Sequence, residues 1–212
     1  MIIGIGNCKG GSGSSVLSLL LAHYLAQQTQ DSISLVSIAA GSLSLLHSRS
    51  TLLEHELPFE FLTCSFSHFK LLVDKLAENK SAWIILDFPP VGNDEKIIEL
   101  ILKADFICCP FSYDMDSVHN SLTFGSLCRR IQPEVKLLFV PNRVVANASY
   151  PLRDETERTI RQIAAVGPAL SMHIGLQRLS SLQLPTGLLE KFSTSLQVIF
   201  ENYLKHAKPS NF

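Results

Sequence analysis

Asn7-Cys8-Lys9-Gly10-Gly11-Ser12-Gly13-Ser14-Ser15 follows the apolar run Met1 to Ile5 and a single Gly6. An apolar strand that ends in a Gly-rich turn and opens a helix presents several backbone N–H groups to an anion. The helix N-terminus adds about half a positive charge. Gly10, Gly11 and Gly13 let the chain turn tightly and approach a phosphate closely. A phosphate-binding loop reads G-x-x-x-x-G-K-[ST]. In that frame Ser15 supplies the hydroxyl that would hold Mg²⁺, but Ser14 stands at the lysine position. A lysine survives earlier, at Lys9. The stretch has the outline of a phosphate cradle without the cation that assists phosphoryl transfer.

Around this loop, apolar runs alternate with helical periods. Strands are expected at Ile2–Gly6, Ile33–Ala39, Trp83–Asp87, Phe106–Pro110, Lys136–Pro141 and Ala169–Ile174, with a shorter candidate at Phe59–Cys64. These runs are continuously apolar, as in strands covered on both faces of a parallel sheet. Helices are expected at Ser15–Gln28, Phe66–Glu78, Glu95–Lys103, Ser117–Ile131, Leu152–Val166 and Leu188–Lys205. The first reads as strongly amphipathic, with Leu17, Leu20, Leu21, Tyr24 and Leu25 on one stripe. Strand–helix alternation of this kind gives βαβ units, a mostly parallel sheet and helices on both faces. A length of 212 residues fits a single α/β domain spanning 1–212.

Hydrophobic residues make up 46% of the chain and charged ones 17%. No apolar run reaches the roughly 18 residues of a membrane span, and the N-terminus lacks the basic flank of a signal peptide. A cytoplasmic protein is expected. The cysteines at 8, 64, 108, 109 and 128 form no C-x-x-C pair, which favours buried free thiols over disulfides. Cys108 and Cys109 should face opposite sides of their strand. The seven histidines are scattered without metal-binding spacing, and no G-x-S-x-G nucleophile elbow occurs. Asp114 and Asp116 read as caps for the helix near Ser117.

The net charge of −1 conceals an asymmetry: residues 1–125 hold 7 Lys+Arg against 13 Asp+Glu, and residues 126–212 hold 11 against 6. Arg129, Arg130, Arg143, Arg153, Arg158, Arg161 and Arg178 lie in the basic half and are candidates for non-specific DNA contact. The alternative is an ordinary solvated surface.

Four stretches, in order, carry a resemblance. Lys9–Ser15 resembles the deviant Walker A motif, K-G-G-x-G-K-[ST], of the ParA/MinD family of P-loop ATPases. Ile84-Ile85-Leu86-Asp87-Phe88-Pro89-Pro90 resembles the family's Walker B segment. Val140-Pro141-Asn142-Arg143-Val144 resembles the N-R-V segment that begins the loop near the adenine. His173-Ile174-Gly175-Leu176-Gln177-Arg178 resembles the R-I-G-Q-R stretch of plasmid-type members. The likeness is greatest to compact ParA proteins of plasmids and mobile elements.

The resemblance implies a site for ATP or ADP with Mg²⁺ built from Lys9, Gly10, Gly11, Ser12, Gly13, Ser14, Ser15, Asp87, Asn142 and Arg143, with Ser15 and Asp87 toward the metal. It implies a nucleotide-driven homodimer that binds DNA on the nucleoid and an adaptor, either a centromere-binding protein or a relaxosome component. Lys9 matches the signature lysine that reaches a partner's nucleotide. A MinD-like membrane helix is not expected, because the apolar stripe of the last helix lacks a strong basic flank.

Two departures bear on activity. The family lysine that contacts the β- and γ-phosphates is Ser14. The acidic positions after the second strand are Ser37 and Ala39. Losing such charge-compensating groups costs on the order of 10²–10³ in rate each. The expectation is a partition or conjugal-transfer switch with weak or absent hydrolysis. The alternatives are an interaction module that binds no nucleotide, and an active ATPase in which Lys9 substitutes.

Overall fold

Strands formed from the continuous apolar runs are buried on both sides, and their order sets the site. The computed structural model describes residues 1–39, 41–90 and 96–207. Seven strands are described: β1 (Ile2–Ile5), β2 (Ile33–Ile38), β3 (Glu60–Cys64), β4 (Trp83–Asp87), β5 (Phe106–Phe111), β6 (Lys136–Pro141) and β7 (Ala165–Val166). They form one sheet in the order β3-β2-β4-β1-β5-β6-β7, and every pairing is parallel. The strand after which the loop emerges, β1, lies in the middle between β4 and β5. An open α/β sheet binds ligands at the carboxyl ends of such strands, where the order switches direction.

The helices are α1 (Ser14–Gln28), α2 (Ser42–Leu52), α3 (Phe66–Ala77), α4 (Lys96–Lys103), α5 (Met115–Ile131), α6 (Arg153–Arg161), α7 (Ile174–Gln177) and α8 (Ser193–Ile199). Two apolar clusters cover the two faces. One joins α1, Leu43 and the C-terminal helical segment to β1, β2 and β4. The other joins α3, α4, α5 and Ile160 of α6 to the opposite face. Cys108 belongs to the first and Cys109 to the second, as strand alternation requires. All five cysteines are free. No described helix is long and apolar enough to cross a membrane.

Four expectations need correction. The first helix has no polar face over its middle: every residue from Leu17 to Leu25 is buried, because the C-terminal segment covers the side turned away from the sheet. Ser42–Leu52 is a helix that carries no readable stripe, since Leu43 and Ser50 are its buried residues. Ser48, Ser50 and Thr51 there bond back to the carbonyls four residues earlier. The sixth helix stops at Arg161, and Ala165–Val166 joins the sheet edge instead of ending that helix. The strand expected at Ala169–Ile174 is consequently absent as a strand. Gly167-Pro168 interrupts the run, leaving a bridge between Val144 and Ser171 and the α7 turn. The start of the helix expected at Glu95 lies outside the described residues.

The C-terminal helix is not uniform. A 3₁₀ turn (Leu189–Phe192) leads into α8 and then into a π turn (Phe200–Leu204), where Lys205 N–H bonds to the Phe200 carbonyl at 2.8 Å. The wide turn seats Phe200 between Tyr24 and Trp83, with ring centroids 6.1 and 6.0 Å away. Leu188, Leu189, Phe192, Leu196, Ile199 and Leu204 are buried beside it. The apolar stripe of this segment therefore belongs to the core.

Gly4 on β1 and Gly6 just beyond it leave room for the Phe88 side chain. A Cβ on Gly4 would stand 2.5 Å from Phe88 Cζ, and one on Gly6 would stand 2.9 Å from the same side chain. Gly4→Ala should lower stability by about 1–3 kcal/mol through overpacking, measured by urea unfolding. Phe88→Leu in the same background should recover part of that loss.

Candidate functional site

The loop between β1 and α1 is held from three directions. Asn7, 2% exposed, donates from Nδ2 to the Pro110 carbonyl at 2.8 Å and to Ser121 Oγ at 2.7 Å. Its Oδ1 accepts from Lys9 N–H at 3.2 Å. Asn142, at the end of β6, donates from Nδ2 to the Ser12 carbonyl at 2.9 Å and accepts on Oδ1 from Arg143 N–H at 2.9 Å. Its own N–H bonds to the Phe111 carbonyl. Gly11 and Gly13 adopt φ of 79° and 101°, which favours glycine there. At Gly13 the need is double, because a Cβ would fall 2.0 Å from Asn142 Nδ2.

The third hold is Asp87. It ends β4 at 5% exposure, accepts from Ser15 Oγ at 2.8 Å and lies 3.3 Å from Ser18 Oγ. Ser18 also reaches the Ser14 carbonyl at 2.9 Å. Burial pushes the Asp87 carboxyl up to about 6, and the Ser15 and Ser18 hydroxyls oppose that rise. On the next strand, Ser37 is the register partner of Asp87 and is itself buried, so no second carboxylate stands there. Ala39 has φ of 64° and donates its N–H to the Cys64 carbonyl. Ser14 contributes a hydroxyl 3.2 Å from Ser12 Oγ, where a lysine would project a cation.

Lys9 Nζ lies 3.2 Å from Asp114 Oδ1. Asp114 caps α5, accepting from Ser117 N–H at 2.8 Å and also from Ser112 Oγ. Burial raises its pKa, but the hydrogen bonds from Ser112, Ser117 and Lys9 outweigh burial and hold it below the usual carboxylate value. The cap expected at this position is therefore also a counter-ion for the loop.

These elements enclose a cleft of about 190 Å³ lined by Lys9–Val16, Asn7, Ser42, Pro90 and Arg143. Small-molecule pockets run about 300–1,000 Å³, so the cleft has room for phosphate groups and not for an enclosed nucleotide. A second, mostly apolar cavity of about 300 Å³ adjoins it, sharing Ser15, Val16 and Ser42 and rimmed by Arg49. The hydroxyl of Ser15 and the carboxylate of Asp87 are hard oxygen donors of the type Mg²⁺ takes, and their contact fits that ion. Among the described residues no group of three or more His, Cys, Asp or Glu forms a metal cluster.

The basic candidates separate. Arg129 is committed to carbonyls: its Nε bonds to Ile163 O and its Nη1 to Pro133 O and Val135 O. Arg153 and Arg161 both pair with Glu157, and Arg153 sits over the Tyr113 ring at 5.5 Å. Helix α6 balances three arginines with Asp154, Glu155 and Glu157, which dilutes it as a basic stripe. Arg130, Arg143, Arg158 and Arg178 are exposed.

Two contributors escaped the motif reading. Asn7 showed itself as a polar residue where a buried strand meets the loop. Ser18 showed itself as a hydroxyl one helical turn beyond Ser14 and Ser15.

No protein-family model matches the sequence, and the search of curated proteins gives no match. Solved structures do match. A ParA family ATPase from Chlorobium tepidum is 20% identical, with a TM-score of 0.69 over 96% of this chain and 98% of that one. A putative plasmid partition protein from Borrelia burgdorferi bound to AMPPNP is 15% identical, with a TM-score of 0.66 over 95% and 98%. The MinC:MinD cell division complex of Aquifex aeolicus gives 16% identity and a TM-score of 0.71 over 100% and 98%. The class defined here is a single all-parallel α/β sheet domain with helices on both faces. Its structural neighbours are ParA and MinD ATPases, and the chain shares their fold along nearly its whole length.

Asp87 makes the stability of the site pH-dependent. Its folded-state pKa of about 6 lies above the ordinary 3.8, so the folded chain holds this proton more tightly than the unfolded one. The Asp87 contribution to stability is full below about pH 4, declines as pH rises through about 6, and then levels off. Asp87→Asn removes that dependence. The stability of the variant relative to the parent should rise by about 2 kcal/mol between pH 4.5 and 7.5, measured by chemical unfolding.

Proposed function

We propose that this chain is a ParA/MinD-type protein that binds ATP or ADP with Mg²⁺ at Lys9–Ser15, hydrolyses it weakly or not at all, and acts as a dimeric switch in DNA partition or conjugal transfer. The observation that supports binding is the pre-shaped loop, with Ser15 already against Asp87 and Gly11 and Gly13 already turned. The observation that supports weak hydrolysis is the neutral trio of Ser14, Ser37 and Ala39. Ser12, Gly13 and Ser14 would present backbone N–H groups to phosphate, while Ser15 and Asp87 would hold the metal. Bound Mg²⁺ would neutralise phosphate charge. The AMPPNP carried by the Borrelia protein and the MinC partner of the Aquifex protein favour nucleotide and an adaptor here.

A second reading is a module that uses the fold without nucleotide. The hydroxyl contact between Ser12 and Ser14 favours it, because the loop meets part of its own polar demand. Isothermal titration with ATP and Mg²⁺ separates the two. Saturable binding at micromolar to low millimolar concentration is expected, and Ser14→Lys should tighten it about tenfold by adding a charge-assisted contact. Heat-silent titrations of both proteins would leave the module reading. Turnover equal to that of an intact relative and lost in Lys9→Ala would instead establish the lysine-substituted ATPase.

Arg130, Arg158 and Arg178 are exposed, enter none of the ion pairs found among the described residues and lie outside the phosphate cleft. They are the candidates for DNA contact on a cytoplasmic, nucleoid-associated protein. Their combined replacement by alanine should weaken binding to random duplex and flatten its dependence on salt, measured by fluorescence anisotropy. A parent protein that binds duplex with no salt dependence would overturn the basic-surface assignment.

A further inference from the structure

Lys9 and Arg143 are the cations among the residues lining the phosphate cleft. Lys9 is paired with Asp114. The Arg143 side chain makes no ion pair or hydrogen bond among the described residues. Its backbone, by contrast, is fixed. Asn142 Oδ1 takes its N–H, and the same amide donates to the Ser12 carbonyl. Val144 N–H bonds to the Leu170 carbonyl at 3.0 Å on the other side. One asparagine side chain thus links the root of the arginine to the phosphate loop, leaving an exposed arginine beside a loop that has serine at position 14.

We propose that Arg143 replaces the missing loop cation by binding the diphosphate portion of the ligand from the β6 side. The ligand class is a nucleoside di- or triphosphate, with inorganic pyrophosphate as its minimal part. A guanidinium suits this task, since its planar fork bonds two phosphate oxygens at once. This assignment rests on the nucleotide reading above. It differs from the adenine-side role that the N-R-V resemblance implies, because Arg143 shares a cleft with Gly10–Ser15. It also explains how binding and hydrolysis separate. A cation rooted on β6 can hold phosphate charge without occupying the place from which a lysine at position 14 would act.

The test compares pyrophosphate, ADP and adenosine by isothermal titration against four proteins: the parent, Arg143→Asn, Arg143→Lys and Arg143→Asn with Ser14→Lys. Asparagine is the replacement because it tolerates the φ of 57° found at this position. Arg143→Asn should weaken pyrophosphate and ADP alike by about 10- to 100-fold, the worth of a charged hydrogen bond, and leave adenosine unchanged. Arg143→Lys should fall between. Ser14→Lys should restore pyrophosphate binding in the Asn background. Unchanged pyrophosphate affinity in Arg143→Asn would overturn the proposal while the nucleotide reading stands. Weaker adenosine binding with unchanged pyrophosphate would overturn it in favour of the adenine-side role. A parent protein that binds none of the three ligands would overturn both.

Discussion

The bond from Asn142 Nδ2 to the Ser12 carbonyl is the constraint on which the site depends. A Gly-rich loop has a large conformational entropy, and each residue fixed costs about 1–2 kcal/mol. Something other than a ligand must offset that cost if the loop is to be shaped in advance. Asn142 does so from one side and Asn7 from the other. The bond also fixes Gly13, because no side chain fits between that residue and the amide. The sheet order makes the arrangement available: β1, β5 and β6 are neighbours, so their ends deliver Asn7, Phe111 and Asn142 to one place.

Electrostatics at the site follow from a substitution and a burial. Ser14 and Ser37 place neutral hydroxyls at the loop and beside Asp87. With Ser37 beside it in register, Asp87 has no second carboxylate pressing on it, and burial, opposed by the Ser15 and Ser18 hydroxyls, leaves its pKa at about 6. Hydroxyls satisfy it in place of charge. A buried polar group left without partners costs roughly 1–3 kcal/mol, and Ser15 and Ser18 avert that cost. The result is a loop region that stays folded with modest charge, as a binding site can, while lacking the concentrated charge that phosphoryl transfer draws on.

Much of this was legible in the sequence, and the failures have physical causes. Five strands could be read at sight because burial on both faces makes their pattern continuous, as in Trp83–Asp87 and Lys136–Pro141, and the edge strand Glu60–Cys64, which is only partly buried, gave a weaker signal. The Ala169–Ile174 run misled because Gly167-Pro168 interrupts it, and only a single bridge, Val144 to Ser171, is left where a strand was expected. Helix α2 could not be seen, since its serines and threonine bond to its own carbonyls and bury almost nothing. The loop was legible through its glycines. The distribution of its supports was not: Ser18, Asn7 and the position of Arg143 are facts of three dimensions, set by which strand ends meet.

The central place of β1 has a consequence for how the molecule is made. Its neighbours begin at Trp83 and Phe106, and the loop waits for Asn142. A ribosome adds roughly 5–20 residues per second, and Asn142 follows Ser12 by 130 residues, so the loop spends several seconds before its last support exists. Pairings so distant along the chain form slowly. During that interval the Leu-rich helix also lacks the C-terminal segment that covers its outer side, which leaves apolar surface open until the last residues of the domain are made.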